Sequence, residues 1–224
     1  MIRPVAVLRP EPGNAATVAR LHRIRLTTID LPLFEVAPLP WTPPSAAQFD
    51  GLLLTSANAL RHGGQGLSRL NGLPALAVGE ATAAAARERG FTVERTGDRE
   101  LVALLDQVQP GRRLLWLAGE DRTAIIHDLI VQTIAVYRAA PRSIDAATAA
   151  SLAGCVALLH SSRAAAQLAT LVDAAGVARG DIRLAAISDK VARAAGSGWA
   201  TAAVADLPND EALIAAAHRL AIDP

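Results

Sequence analysis

LAVGEATAAAARERG, running from Leu76 to Gly90, is the stretch whose reading decides the fold. Leu76-Ala77-Val78 is an apolar, strand-like run that breaks at Gly79. Glu80-Ala81-Thr82 then opens a helix of alanine, arginine and glutamate that stops at Gly90, and Phe91-Thr92-Val93 reads as the next strand. Strand, small-residue turn, helix, glycine stop and strand make one parallel βαβ step. The first backbone N–H groups of such a helix have no helical carbonyl behind them and point at the carboxyl edge of the sheet, which suits them to anions.

The pattern recurs. Leu184 to Ile187 is a strand, Ser188-Asp189-Lys190 a turn, Val191 to Ala195 helical, Gly196 to Gly198 a stop, and Thr201 to Val204 a strand. Upstream of each copy lies a matched pair, Gly51–Asn58 and Val156–Arg163. Downstream lies a short amphipathic helix, 100–108 in one case and 210–220 in the other, the second capped by Asn209. Two related α/β units are therefore expected.

Outside these units the N-terminal segment reads as one more βαβ step: strand Val5–Leu8, Arg9-Pro10, a turn at Pro12-Gly13 with Asn14 as helix cap, and strand Thr27–Leu31. Leu33–Leu39 continues extended, and Pro38, Pro40, Pro43 and Pro44 keep the chain out of helix. Further on, Leu114–Ala118 is a strand, 124–131 reads as a helix, Thr133–Arg138 as a strand, and Ala139-Ala140-Pro141 as a break. His62 to Gly66 reads as a loop. The middle of the chain is complete in itself, whereas its two ends complete each other. The expected fold is α/β: two doubly wound parallel-sheet domains joined by a two-stranded linker, one domain inserted in the other. Residues 1–35 with 142–224 form the discontinuous domain, 40–136 the inserted one, and 36–39 and 137–141 the linkers. The ligand edge of each sheet is expected at the carboxyl ends of its strands, the two edges sharing one cleft.

Composition excludes several classes. The 224 residues carry a net charge of +1, and Lys190 is the only lysine. Without a basic stripe a nucleic-acid surface is not expected, and no apolar run approaches the roughly 20 residues of a membrane helix. No signal pattern opens the chain, and Cys155, its only cysteine, has no disulfide partner. A cytoplasmic protein with a buried, inert thiol is expected. The five histidines, His22, His62, His127, His160 and His218, have no metal-ligand spacing, so no metal is expected. A P-loop, a dinucleotide fingerprint and a serine elbow are all missing.

What remains is a set of turns. Thr55-Ser56 and Ser161-Ser162 are hydroxyl pairs at strand ends, readable as helix caps or as ligand contacts. Thr82 is either a local backbone bonder or a hydroxyl donor to a substrate. Tyr137, the only tyrosine, is either a packing aromatic or a proton donor to a departing water.

Taken in order, Arg9-Pro10, Leu53–Ala59, Ala77–Ala83, Gly119–Thr123, Val136-Tyr137-Arg138, His160-Ser161-Ser162 and Ala186-Ile187 resemble the uroporphyrinogen-III synthase family over essentially the whole chain. The resemblance implies two α/β domains on a two-stranded linker and a lyase without cofactor. It implies a substrate, the linear tetrapyrrole hydroxymethylbilane, that loses its terminal hydroxyl, inverts its last pyrrole ring through a spiro intermediate and closes as uroporphyrinogen III. It places catalytic roles on Tyr137 and Thr82. Substrate binding is expected from Arg9, Thr55, Ser56, Gly79, Glu80, Ala81, Arg122, Ser161, Ser162 and Ser188, the polycarboxylate being met by helix-start amides and arginines. The family's second threonine is replaced by Ser188-Asp189-Lys190-Val191. Lys190 either takes over as a carboxylate partner or is a solvated helix-start lysine. The segment from Thr123 to Val136 is also shorter than is usual in the family. A monomer is expected, with transient contact to the preceding pathway enzyme and none with nucleic acid or membrane. The rival readings are a hinge-closing binder of an anionic small molecule and an inactive paralogue.

Overall fold

The computed structural model describes residues 2–97 and 101–222. In chain order, β1 (Val5–Val7), α1 (Gly13–Arg23) and β2 (Thr28–Asp30) precede an extended strand, β3 (Phe34–Pro38). Then come β4 (Gly51–Leu54), α2 (Ala57–His62), a 3₁₀ segment (Gly64–Leu70), β5 (Ala75–Val78), α3 (Glu80–Glu88), β6 (Val93–Gly97), α4 (Leu101–Leu105), β7 (Leu114–Gly119) and the long β8 (Ile130–Pro141). The chain finishes with α5 (Ala146–Ala150), β9 (Val156–Leu159), α6 (Ser162–Ala174), β10 (Arg183–Ala186), α7 (Asp189–Ala194), β11 (Thr201–Val204) and α8 (Asp210–Ile222). The chain divides into two compact units, 1–35 with 140–224 and 36–139.

The sheet of the first unit is parallel throughout, in the order β11-β10-β9-β1-β2. That of the second runs β6-β5-β4-β7-β8, all parallel, with β3 added beside β8. Leu39 N–H donates to the Val136 carbonyl at 3.0 Å and Arg142 N–H to the Leu33 carbonyl at 2.9 Å. Numbers rise on one strand as they fall on the other, so β3 and β8 are antiparallel and this sheet is mixed. The two orders match element for element when β9-β10-β11 is laid on β4-β5-β6 and β1-β2 on β7-β8. The repeat therefore extends to the topology, with a permuted chain order.

Parallel strands bury both faces, and β4 and β7 show it. Leu52, Leu54, Leu115 and Leu117 pack with α2, the 3₁₀ segment and α3 on one face. Leu53, Leu114, Trp116 and Ala118 pack with Leu101, Leu104 and Leu105 of α4 on the other. Each fully buried leucine contributes roughly 1.5–3 kcal/mol of transfer free energy. Cys155 is buried just before β9, and burial pushes its thiol up to about 12.

Several local expectations are corrected. The expected helix over 124–131 is absent: a loop and turn lead to Ile130, where β8 starts. Ile130, Val131, Thr133, Ile134 and Val136 are β-branched and favour pairing with β7 over a helical turn. No break falls at 139–141; the antiparallel partner β3 holds β8 straight through Pro141, a residue admitted at a strand end because it need not donate there. The strand placed at Phe91–Val93 begins at Val93, because Phe91 is buried in the core as the chain leaves Gly90. The loop from His62 to Gly66 is ordered as the end of α2 and the 3₁₀ segment. Asn14 does not cap α1; it is buried inside it, donating its amide to the Val7 carbonyl at 2.9 Å. Of the helix placed over 100–108, Glu100 lies outside the described residues.

Gly79 links β5 to α3 at φ 81° and ψ 147°, a region open essentially to glycine alone. A Cβ there would meet nothing within 4 Å, so only the backbone resists substitution. Gly79→Ala is expected to lower the unfolding free energy by about 1–3 kcal/mol with an unchanged urea m-value. Wild-type stability in urea melts would show that the turn can relax.

Candidate active site

In an open parallel sheet, ligands bind beyond the carboxyl ends of the strands where the strand order reverses. In the second unit that point lies between β4 and β7, at Thr55-Ser56 and Gly119-Glu120. In the first it lies between β1 and β9, at Arg9 and His160-Ser161.

At the edge of the second unit, Trp116 Nε1 donates to Thr55 Oγ1 at 3.1 Å, tying the end of β4 to β7. The Arg122 guanidinium stands 5.7 Å from the centre of the Trp116 ring and donates to the Gly119 carbonyl at 3.2 Å. Ser56 Oγ accepts from Asn58 N–H at 3.2 Å and so caps α2. Thr82, in the first turn of α3, is buried, and its N–H bonds the Gly79 carbonyl at 3.1 Å. Ala81 is exposed in that turn, and the exposed Glu80 pairs with Arg87 along the helix at 2.6 Å. Such a solvated pair adds little stability. Tyr137 sits on β8, half-buried, in register with Gly119; its carbonyl accepts from Glu120 N–H at 2.8 Å, and the His62 ring lies 6.3 Å away, tilted by 37°. Tyr137 stands on β8 and Thr82 on α3, the helix that follows β5, so the two come from opposite sides of the switch point.

At the edge of the first unit, Ser161 caps α6 by accepting from Ala164 N–H at 3.2 Å, and Ser162 is that helix's first residue. Ser188 caps α7 by accepting from Val191 N–H, and Lys190 is exposed in its first turn. Arg9 does not stand apart as a binder. Its guanidinium reaches Asp210 at 3.4 Å and occupies the space a Gly13 side chain would fill, where a Cβ would stand 2.4 Å from Nε. Asp210 is a hub. Thr17 Oγ1 donates to its carboxylate at 3.0 Å, His160 Nε2 lies 2.7 Å from Oδ1, and Arg20 pairs with Oδ2. His160 Nδ1 is buried with no hydrogen-bond partner among the described residues.

Sequence reasoning missed this hub. Asn209 does cap α8, its Oδ1 accepting from Ala212 N–H at 2.8 Å, which sets Asp210 at the helix start. Its partners come from α1 and from the ends of β1 and β9, too distant in sequence to be read. Burial alone would raise the Asp210 carboxyl; the hydrogen bonds from His160, Arg20 and Thr17 outweigh it and hold it well below the usual carboxylate range. Burial also lowers His160, so the neutral ring donates through Nε2.

The chain matches the family described as uroporphyrinogen-III synthase HemD over residues 15–215. It is similar to the solved uroporphyrinogen-III synthetase of Helicobacter pylori 26695, at 19% identity and a TM-score of 0.66, with 98% of this chain and 100% of that chain covered. It is also similar to a mutant uroporphyrinogen III synthase of the extremely thermophilic bacterium Thermus thermophilus, at 15% identity and a TM-score of 0.54, with 95% and 96% covered. These structural likenesses speak for the fold. No curated protein matches the chain.

The hub makes folding acid-sensitive in two steps. The neutral His160 contributes fully above its ordinary value of 6.5, and that contribution declines as pH falls and the unfolded chain binds a proton the folded ring resists. Asp210 contributes fully above about pH 4, the unfolded carboxylate range, and its share is lost as pH falls toward its lowered native value. Asp210→Asn is expected to cost about 2 kcal/mol at neutral pH and to flatten the lower step. Urea unfolding at neutral, mildly acidic and strongly acidic pH measures both.

Proposed function

The chain belongs to the uroporphyrinogen-III synthase family, and from that premise we propose which of its residues carry the reaction. The activity is that of a lyase of heme biosynthesis: hydroxymethylbilane loses water, its terminal pyrrole ring is inverted and the macrocycle closes as uroporphyrinogen III.

Tyr137 and Thr82 are the catalytic residues of this reading. The Tyr137 hydroxyl donates to the departing hydroxyl, and the Thr82 hydroxyl donates to the same group or to a substrate carboxylate. The pyrrole nitrogen supplies the electron push that expels water, so no strong acid is needed. Isomer choice then rests on how the chain of rings is held when its ends meet. The observation that carries the reading is the common position of Gly119, Tyr137 and the helix-start turns on one carboxyl edge, flanking a switch point. The edge is three strand spacings wide from β5 to β8, on the order of 14 Å, and an extended tetrapyrrole can lie along it.

Carboxylates of the substrate are met by the amides of Glu80 and Ala81, by the turn at Thr55-Ser56 and by Arg122; the Gly79 amide donates to the Gly97 carbonyl at 2.8 Å, so Gly79 serves by shaping the turn. In the first unit the turns at Ser161-Ser162 and Ser188 and the Lys190 ammonium serve in the same way. Arg9 contributes field from its place on Asp210. The first two amides of α3, those of Glu80 and Ala81, suit an anion without a cationic side chain.

Finer features belong to the same reading. The protein works as a monomer. It works in the cytoplasm, with transient contact to the enzyme that supplies the bilane. No helix of the described residues is long and apolar enough to cross a membrane.

The test supplies hydroxymethylbilane, oxidises the products and separates the isomers. Type III product is expected in excess; type I at the uncatalysed proportion defeats the reading and favours a binder or an inactive paralogue. Tyr137→Phe is expected to lower kcat about 10²-fold, the usual share of a positioned proton donor, with stability unchanged within about 0.5 kcal/mol.

A further inference from the structure

Gly119 is the last residue of β7, buried, and the register partner of Tyr137 on β8. A Cβ built on it would stand 2.8 Å from Tyr137 Cζ and 3.0 Å from both Cε2 and Oη. Its backbone lies outside the left-handed region, unlike that of Gly79 and Gly90. Conformation therefore does not demand glycine here; space does. The space is filled by the ring of the chain's only tyrosine, and the atoms nearest the missing methyl are the carbon that bears the hydroxyl, the adjoining ring carbon and the hydroxyl oxygen. The ring of His62, at the end of α2, lies 6.3 Å from that of Tyr137, and the neighbouring Glu120 amide holds the Tyr137 carbonyl.

We infer that Gly119 is a positioning residue for the cyclisation: the bare backbone at the end of β7 forms the seat that fixes where the Tyr137 hydroxyl points. This rests on the catalytic reading of Tyr137 given above. It adds a residue that touches no reacting atom and acts only through where it lets the ring lie. The close atoms are the far end of a side chain, so an added methyl is relieved by swinging the ring away from the strand. The fold survives that relief; the aim of the hydroxyl does not.

Gly119→Ala tests it. With one tyrosine in the chain, 3-fluorotyrosine gives a single ¹⁹F resonance that reports on Tyr137 with or without substrate. The expected result is a moved resonance, kcat lowered about 10- to 100-fold as for a misplaced group, KM within about twofold, and a larger share of type I isomer. In a Tyr137→Ala background, where no ring remains to displace, Gly119→Ala is expected to add no further loss of kcat. An unmoved resonance overturns the seat. A moved resonance with unchanged kcat, or an additive loss in the double variant, overturns its role in turnover. Unchanged turnover in Tyr137→Phe instead removes the catalytic reading while leaving the ¹⁹F result to decide the seat.

Discussion

A parallel strand cannot return through a hairpin. Each one has to leave the sheet at its carboxyl end, cross over a face and re-enter at the far side. In both units that constraint gathers every strand-to-helix turn on one edge and covers both faces with helix or loop. The leucine-rich core and the polar edge are thus two results of one rule. The core residues alternate between faces along β4 and β7, and the turn residues that follow those strands have nowhere to go but the edge.

The two edges are organised by different physics. In the first unit, a carboxylate at the start of α8 holds groups from α1 and from the ends of β1 and β9. Charge-assisted hydrogen bonds do the arranging there, and pH acts on them directly. In the second unit the arranging is steric. A glycine without a side chain lets an aromatic ring lie against a strand end, and a tryptophan N–H ties β7 to β4. Shape of this kind is indifferent to pH and sensitive to a single methyl.

The matched strand orders give a reason why a family resemblance survives at 19% identity to a solved structure. Alanine-rich helices and interchangeable aliphatic strands satisfy one crossover pattern with many sequences. In this chain the crossover after β7 carries no helix, and β-branched residues turn the expected helix over 124–131 into a loop and the start of β8.

Local rules made much of the chain legible. Gly79 and Thr82 were readable as a strand-to-helix turn because the glycine and the helix signals lie within a few residues of each other. Ser56, Ser161 and Ser188 were readable as caps for the same reason, since a cap bonds an amide two or three residues on. The long β8 was not readable, because its course through Pro141 depends on β3, a partner distant in sequence. Asn14 was misread because its bond to the Val7 carbonyl belongs to packing, whereas capping is local. By itself, then, the chain determined its alternation of strand and helix and the chemistry of its turns, which are short-range properties of neighbouring residues. Only tertiary structure decided that Arg9 lies on Asp210 and Tyr137 on Gly119. Those contacts arise when strands distant in sequence become neighbours, and no spacing along the chain encodes the distance between them.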